Sequence, residues 1–181
     1  MCSIWSGYSD GDETKPWERN SLATVWSTTK GVAAITVALA VERGLLDYSE
    51  KVSHYWPEFS ENGKENITVE MLLSHQAGIC GAQTNDVNDF YDQELMASKL
   101  AGMKPIWEPG TASGYHSMTF GWLTSELIKR VTGKTLGSYF REEIAEDRDI
   151  DFYIELPETE EGRDLLLYTT DAAADLRDGE P

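Results

Sequence analysis

The sequence predicts a mostly helical chain with a short strand region near its N-terminus. The segment from about Ser27 to Arg43 is apolar on nearly all sides, which is typical of a central, buried helix. A second segment, roughly Thr119 to Val131, carries apolar residues on one stripe and is followed by Gly133 as a stop signal. Residues 2–9 are interpreted as the short strand.

Shorter elements lie between and after these two helices. Thr68 is placed to cap a short helix that ends near His75, and Thr135 is placed to cap another after the second long helix. A further helix is expected near Glu94–Leu100. The stretch KPIWEPGTASGYHS contains two prolines and two glycines, which predicts a structured loop.

Length and charge limit the function classes. A chain of 181 residues is long enough for one domain with a core, which we expect over residues 1–155. The net charge of −17 argues against nucleic acid or an anionic membrane as a partner. Fifteen of the acidic residues lie between Glu142 and Pro181, so residues 156–181 are expected to form an acidic, poorly ordered tail. No signal peptide or membrane-spanning apolar run is visible, and a soluble, cytoplasmic protein is expected.

Ser27 and Lys30 raise the question of chemistry. Lys30 is the only charged residue between Ser27 and Val41, and a spacing of three places both side chains on one helix face. A serine hydroxyl needs a base to act as a nucleophile, and a lysine amine can serve when burial lowers its pKa. The alternative is structural, because serine is also a preferred N-cap and the spacing alone is common.

Tyr115 and Ser117 lie in the glycine-flanked loop ahead of the second long helix. From such a loop, side chains can project into a cleft. The pKa of a tyrosine falls beside a cationic lysine, so Tyr115 is a candidate general base if it reaches Ser27. A buried tyrosine with a satisfied hydroxyl is the alternative.

Several blocks of sequence together resemble one family. These blocks are VWSTTKG, ERGLLD, YWPEF, ITVEMLLSHQAGI, WEPGTASGYHS and FREEIAE. In this order, over about Ile4 to Ile154, they resemble the serine β-lactamase-like superfamily. The residues in these blocks are most similar to those of the family VIII carboxylesterases, which are relatives of class C β-lactamases and DD-peptidases. The resemblance implies the α+β fold of β-lactamases and transpeptidases, of which this segment would be a mostly helical part.

The resemblance also implies roles for individual residues. Ser27 would be the acylating nucleophile, and Lys30 and Tyr115 would form the proton-transfer network that serves it. Ser117 fills the third place of a Y-x-S motif and would help to hold Lys30 and Tyr115. The reaction would be hydrolysis of a short-chain carboxylic ester through an acyl-enzyme, with no cofactor, and the Ser27 backbone N–H would be one oxyanion donor. A small-molecule ester or β-lactam is the expected partner.

Other candidate residues carry weaker signals. The three histidines lack the spacing of metal ligands, so no metal site is expected. His116 lies between Tyr115 and Ser117 in the sequence and could line the cleft. Trp107 is close enough to that loop to support the substrate, although a place in the core is the favoured interpretation. His75 belongs to one of the family blocks, but a structural role is the favoured interpretation. There is no G-x-S-x-G motif of an α/β-hydrolase.

The sequence departs from the family pattern at both ends. Members usually have an N-terminal helix and strand before IWSGYSD, and a C-terminal half that supplies most of the sheet and a third, glycine-bearing motif. We therefore expect the chain alone to be weakly active or inactive, or to work as a homo-oligomer that covers the exposed face of the Ser27 helix. Three functions compete: an esterase, a β-lactamase or DD-peptidase, and a homologue that binds without turnover.

Overall fold

Helices dominate the described chain. The structure is a computed structural model that describes residues 4–10, 12–157, 159–160 and 164–165. Its α-helices are α1 (Thr29–Glu42), α2 (Val52–Tyr55), α3 (Val69–Leu73), α4 (Gln93–Gly102), α5 (Thr119–Thr132) and α6 (Leu136–Phe140). Single turns of 3-10 or π helix lie at Trp26–Thr28, Pro57–Gly63, Val87–Tyr91, Arg141–Ala145 and Glu146–Arg148. The prediction of a mostly helical segment is confirmed.

Helix α5 lies at the centre of the packing. It contacts α1, α2, α3, α4 and α6, so most of the core forms around it. Its predicted apolar stripe is confirmed, because Phe120, Leu123 and Leu127 are buried and Val131 is partly buried against the same cluster. Burial of such side chains stabilises the fold by roughly 1.5–3 kcal/mol each.

Helix α1 is buried on one face only, and the prediction that it is buried on nearly all sides is wrong. Its buried residues are Ala33, Thr36, Val37 and Ala40. On the opposite face Ile35 is 60% exposed. The reason is geometric, since α5 and α6 pack against one side of α1. A helix that is uncharged from Gly31 to Val41 can therefore present an apolar face to solvent, and sequence pattern alone does not reveal which face is covered.

The helix ends follow their predicted signals. The Thr68 side chain accepts a hydrogen bond from the Met71 N–H at 3.2 Å, and the Thr135 hydroxyl accepts one from the Ser138 N–H at 3.1 Å. Gly133 ends α5 in the left-handed conformation, with φ of +73°. These three local predictions are confirmed.

The chain divides into two compact units. One contains Ser27–Glu155, and the other combines the two ends, Met1–Trp26 and Leu156–Pro181. In the second unit, β1 (Leu22–Ala23) pairs in parallel with β2 (Asp164–Leu165). Over residues 4–9 the backbone forms only an isolated bridge between Tyr8 and Pro16, so the strand predicted at 2–9 is not found there.

Four further predictions concern the C-terminal tail, the location, a membrane span and a metal site. The acidic tail expected over 156–181 falls mostly outside the described residues and stays a prediction, as does the cytoplasmic location. Of the helices in the described ranges, none is both long and apolar enough to cross a bilayer. Within those same ranges, no group of three or more His, Cys, Asp or Glu side chains is placed to hold a metal ion.

Candidate active site

Ser27, Lys30 and Tyr115 meet at the N-terminal end of α1. The Lys30 Nζ donates a hydrogen bond to the Ser27 Oγ at 3.2 Å, and the Tyr115 hydroxyl lies 2.8 Å from the same oxygen. The Lys30 Nζ also lies 5.0 Å from the centroid of the Tyr115 ring, within the range of a cation–π contact. The three side chains predicted to act together are therefore in mutual contact.

The position of Ser27 explains why its hydroxyl is available. Ser27 lies in the single 3-10 turn Trp26–Thr28, immediately before α1 begins at Thr29. The N-cap of α1 is Thr28, and its side chain makes no capping hydrogen bond. The interpretation of Ser27 as a simple N-cap is therefore wrong. Its Oγ faces Lys30 and Tyr115, close to the positive end of the α1 dipole.

The surroundings of Tyr115 favour its ionised form. Its hydrogen bond with Ser27, and then its hydrogen bond with Lys30 and the charge of that ammonium, lower the pKa of the Tyr115 hydroxyl below its usual value near 10. Tyr115 is 56% exposed, so solvent and a ligand can reach it. The alternative of a buried structural tyrosine is therefore wrong, and a base at this place is chemically reasonable.

The loop that carries Tyr115 is fastened to the segment after α3. Hydrogen bonds join loop residues 105–116 to residues 74–79. The backbone N–H groups donate to carbonyl oxygens in three pairs: Ile106 to Gly78 at 2.8 Å, Gly110 to Gln76 at 3.1 Å, and Gly114 to His75 at 3.1 Å. The Ser113 hydroxyl adds a fourth bond to the Ser74 carbonyl at 3.2 Å. Tyr115 is thus presented by a loop with a defined backbone path.

Trp107 packs against the backbone of this loop. A Cβ added to Gly114 would lie 2.5 Å from the indole ring of Trp107, so glycine is required there. The indole N–H donates to the Gln76 carbonyl at 3.4 Å. Trp107 is only partly buried, and these contacts favour support of the loop as its contribution.

His116 and Ser117 flank Tyr115 with different exposures. His116 is fully buried; its Nδ1 lies 2.6 Å from the Gly114 carbonyl, and its Nε2 accepts from the Ile79 N–H at 3.3 Å. These bonds favour a supporting role over contact with a substrate. Ser117 is exposed, and its backbone N–H donates to the Tyr115 carbonyl at 3.1 Å. The predicted role of its hydroxyl in holding Lys30 and Tyr115 stays a prediction.

Comparison with known proteins decides the family. The family model described as Beta-lactamase matches residues 3–181. The chain belongs to the beta-lactamase family. The predicted resemblance is thereby confirmed, and so is the predicted fold, because solved members with the same architecture superpose on the chain.

Several relatives within the family are similar to this chain. The esterase/beta-lactamase LipL of Mycobacterium tuberculosis is 41% identical over 151 residues, which cover 83% of this chain and 35% of LipL. The crystal structure of a family VIII carboxylesterase matches with 43% identity and a TM-score of 0.85, over 89% of this chain and 45% of that one. A penicillin-binding protein homologue from Caulobacter crescentus matches with 40% identity and a TM-score of 0.85, over 88% and 43%. The chain therefore spans about a third to just under half of the length of these relatives.

His75 and Gly114 are the residues whose importance the sequence reasoning missed. His75 is half-buried, and its ring lies 5.3 Å from the Tyr115 ring, centroid to centroid. No signal in the sequence marked the backbone position of His75, because the predicted helix ran through His75, whereas α3 ends at Leu73 and His75 lies beyond it.

Proposed function

We propose that the chain carries the nucleophile and base network of a serine hydrolase that cleaves short-chain carboxylic esters through an acyl-enzyme on Ser27. One observation carries this proposal. The Ser27 Oγ lies within hydrogen-bond distance of both the Lys30 Nζ and the Tyr115 hydroxyl, at 3.2 and 2.8 Å. A nucleophile in contact with a base, and a base in contact with a charged group, is the arrangement that activates a weak hydroxyl.

The proton transfers follow from these contacts. Tyr115, as the phenolate, accepts the Ser27 proton while the Ser27 Oγ forms a bond to the ester carbonyl carbon. The Lys30 ammonium stabilises the phenolate before the transfer. When the tetrahedral intermediate collapses, the ester C–O bond breaks and Tyr115 gives its proton to the departing alkoxide. Water then attacks the acyl-enzyme while Tyr115 takes a proton from the water. The bond between the acyl carbon and the Ser27 Oγ breaks, Tyr115 returns the proton to this oxygen, and the carboxylic acid is released.

The start of α1 supports the developing negative charge on the carbonyl oxygen. Ser27 precedes the helix by two residues, and the side chain of the N-cap residue Thr28 makes no capping hydrogen bond. Backbone N–H groups at such an end, together with the helix dipole, stabilise an oxyanion. The Ser27 N–H is the donor assigned to this task in the proposal.

A β-lactam is the second candidate substrate. The same acylation chemistry opens a lactam ring, and the relatives include penicillin-binding protein 4* of Bacillus subtilis and a beta-lactamase of Providencia stuartii, at 26% and 29% identity. The esterase function is preferred because the relatives of at least 40% identity include a family VIII carboxylesterase and the esterase/beta-lactamase LipL. A catalytically weak or inactive homologue is the third candidate, favoured by the exposed α1 face around Ile35.

A fluorophosphonate probe tests the proposal directly. The purified chain is incubated with the probe, and the intact mass and the modified peptide are read by mass spectrometry. We expect a single adduct on Ser27 that is absent from Ser27→Ala. The variant Ser98→Ala changes an exposed serine of α4 and should be labelled like the original chain. A folded sample without an adduct would contradict the hydrolase proposal and favour a homologue that does not turn over substrate.

Substrate class is tested separately. The initial rate with p-nitrophenyl butyrate is compared with the rate with nitrocefin, each with the Ser27→Ala variant as the blank. Faster ester turnover supports the esterase proposal. Faster nitrocefin turnover would transfer the assignment to the β-lactamase alternative, with the roles of Lys30 and Tyr115 unchanged.

A further inference from the structure

His75 occupies a backbone position that ordinarily belongs to glycine. The His75 N–H donates to the Leu72 carbonyl at 3.2 Å, and the Gln76 N–H donates to the Met71 carbonyl at 2.8 Å. This pair of bonds is the Schellman motif that ends a helix, and it places His75 in the left-handed region with φ of +64°. A non-glycine residue is uncommon there, which raises the question of what the imidazole contributes that glycine does not.

The contribution is a pair of acceptors on either side of Tyr115. The His75 carbonyl oxygen accepts the Gly114 N–H at 3.1 Å, and the His75 Nδ1 accepts the His116 N–H at 3.2 Å. The N–H groups of the two residues on either side of Tyr115 therefore bind the same residue. The left-handed backbone of His75 directs the carbonyl and the ring toward the loop together.

We propose that His75 is a positioning residue that holds Tyr115 against Ser27 by binding the Gly114 and His116 N–H groups, and that it does so only while its imidazole is neutral with the proton on Nε2. This inference rests on the proposed function of Tyr115 as the base. His75 acts through Tyr115 and is not assigned a contact with substrate. Protonation of Nδ1 would set two N–H groups facing each other and remove the acceptor.

The neighbours of His75 keep the ring neutral. Burial, and then the positive charge of Lys30 on α1, lower the pKa of the His75 imidazole. The loop contributes Tyr115 and His116, and α5 contributes the uncharged ring of Phe120 at 5.2 Å, centroid to centroid. Because these contacts include no carboxylate, the neutral ring predominates at neutral pH. The hydrogen bond from the His116 N–H to the His75 Nδ1 is therefore lost only in acid.

The proposal requires opposite tautomers for His75 and His116. His75 must carry its proton on Nε2, because its Nδ1 is the acceptor. His116 must carry its proton on Nδ1, because its Nε2 accepts from the Ile79 N–H and its Nδ1 faces the Gly114 carbonyl. The sequence has three histidines, and the third, His54, is exposed.

Long-range proton–nitrogen NMR of the full chain reads these tautomers without any substrate. We expect the Nε2–H form for His75, with a titration midpoint below the usual histidine pKa of 6.5, and loss of hydrogen-exchange protection at the His116 amide as His75 becomes protonated. An Nδ1–H tautomer for His75, or a His116 amide that stays protected through that titration, would overturn the proposal.

Two variants separate the acceptor from the backbone conformation. His75→Asn keeps tolerance of the left-handed region and a side-chain acceptor oxygen, whereas His75→Gly keeps the backbone tolerance and the carbonyl acceptor but has no side-chain acceptor for the His116 N–H. We expect Asn to label with the fluorophosphonate within about threefold of the original chain, and Gly to label about 10²-fold more slowly, the cost of a small misplacement of a reacting group. A Gly variant as fast as the original, or an Asn variant as slow as Gly, would overturn the proposal.

The pH profile gives a readout that a purely structural residue would not change. Below the His75 pKa, the slope of the logarithm of the labelling rate against pH should steepen from about 1 to about 2, because both Tyr115 and His75 must lose a proton. In His75→Asn it should stay near 1. If the original chain is not labelled at all, the proposed function fails, and the tautomer measurement still decides whether His75 clamps the loop.

Discussion

The Tyr115 hydroxyl and the Ser27 Oγ lie 2.8 Å apart although 88 residues separate them in the chain. Ser27 is positioned by the start of α1, and Tyr115 by a loop that binds the segment after α3. The contact therefore depends on three parts of the fold being in place at once. Its strength as an argument for chemistry comes from Lys30, which contacts both partners from the first turn of α1.

Tyr115→Phe should remove the base and leave the fold intact. The Tyr115 side chain is 56% exposed and the only change is loss of the hydroxyl. We expect the labelling and ester hydrolysis rates to fall by about 10²–10⁴-fold, the usual contribution of a positioned general base. Tyr48→Phe, at a tyrosine 38% exposed, is the matched control and should behave like the original chain. Equal rates for both variants would remove Tyr115 from the mechanism.

Lys30→Met should move the pH dependence of the reaction toward alkali. The active form of Tyr115 is the phenolate, which predominates above its pKa, and contact with Ser27 and Lys30 lowers that pKa. The labelling rate should therefore rise with pH through a midpoint below 10 in the original chain. Without the ammonium the midpoint should rise. Measurement of the rate between about pH 6 and pH 10 tests this, since tyrosine ionises near pH 10 without perturbation. Lys51→Met, at an exposed lysine, should leave the midpoint unchanged.

Gly114→Ala should destabilise the fold and slow the reaction together. A Cβ at Gly114 would lie 2.5 Å from the Trp107 ring, so the ring or the loop must shift. Such overpacking costs about 1–3 kcal/mol in the free energy of unfolding. Gly121→Ala is the control, because a Cβ there meets no atom within 4 Å and the residue lies inside α5. It should stabilise by up to about 1 kcal/mol. Urea denaturation measures the free energy of unfolding of both variants. A Gly114→Ala variant as stable as the original chain would contradict the packing argument.

The exposed face of α1 predicts self-association. Ile35 is 60% exposed on α1, whereas the chain as a whole carries a charge of −17 that opposes contact between copies. We expect sedimentation to detect an oligomer whose population rises with salt, because salt screens that repulsion. Ile35→Glu should abolish it, and Val87→Glu, at another residue 57% exposed, should not. A chain that is monomeric at high salt would make the homo-oligomer prediction wrong.

Local signals in the sequence predicted most of the helical framework. Thr68, Thr135 and Gly133 each mark a helix end through a contact with a residue close in sequence, which a pattern can reveal. The pair of Ser27 and Lys30 is likewise local. Tyr115 could be assigned only through several blocks taken together, because nothing in its immediate sequence says which distant residue it meets.

Long-range burial could not be predicted. Lys64 is fully buried and its Nζ donates to the carbonyls of Glu61 and Met103, the second of which lies 39 residues away. A lysine in a polar stretch gives no sign of this. The exposure of Ile35 is the converse case: the family resemblance predicted an exposed face on this helix, but the helix sequence did not show that Ile35 lies on it. Both outcomes depend on which elements pack together, and periodicity within one helix does not contain that information.

The bonds between residues 74–79 and 105–116 close the intervening chain into a loop at its base. Residues 81–92, which precede α4, are largely exposed and contribute little to the core. A longer or shorter connection at this place would not change which backbone groups of His75 and Gly114 meet, and doubling its length would cost only about 0.6 kcal/mol in closure entropy. This stretch is therefore where the protein can diverge in length between species, or accept an inserted peptide in the laboratory, without displacing its reactive centre.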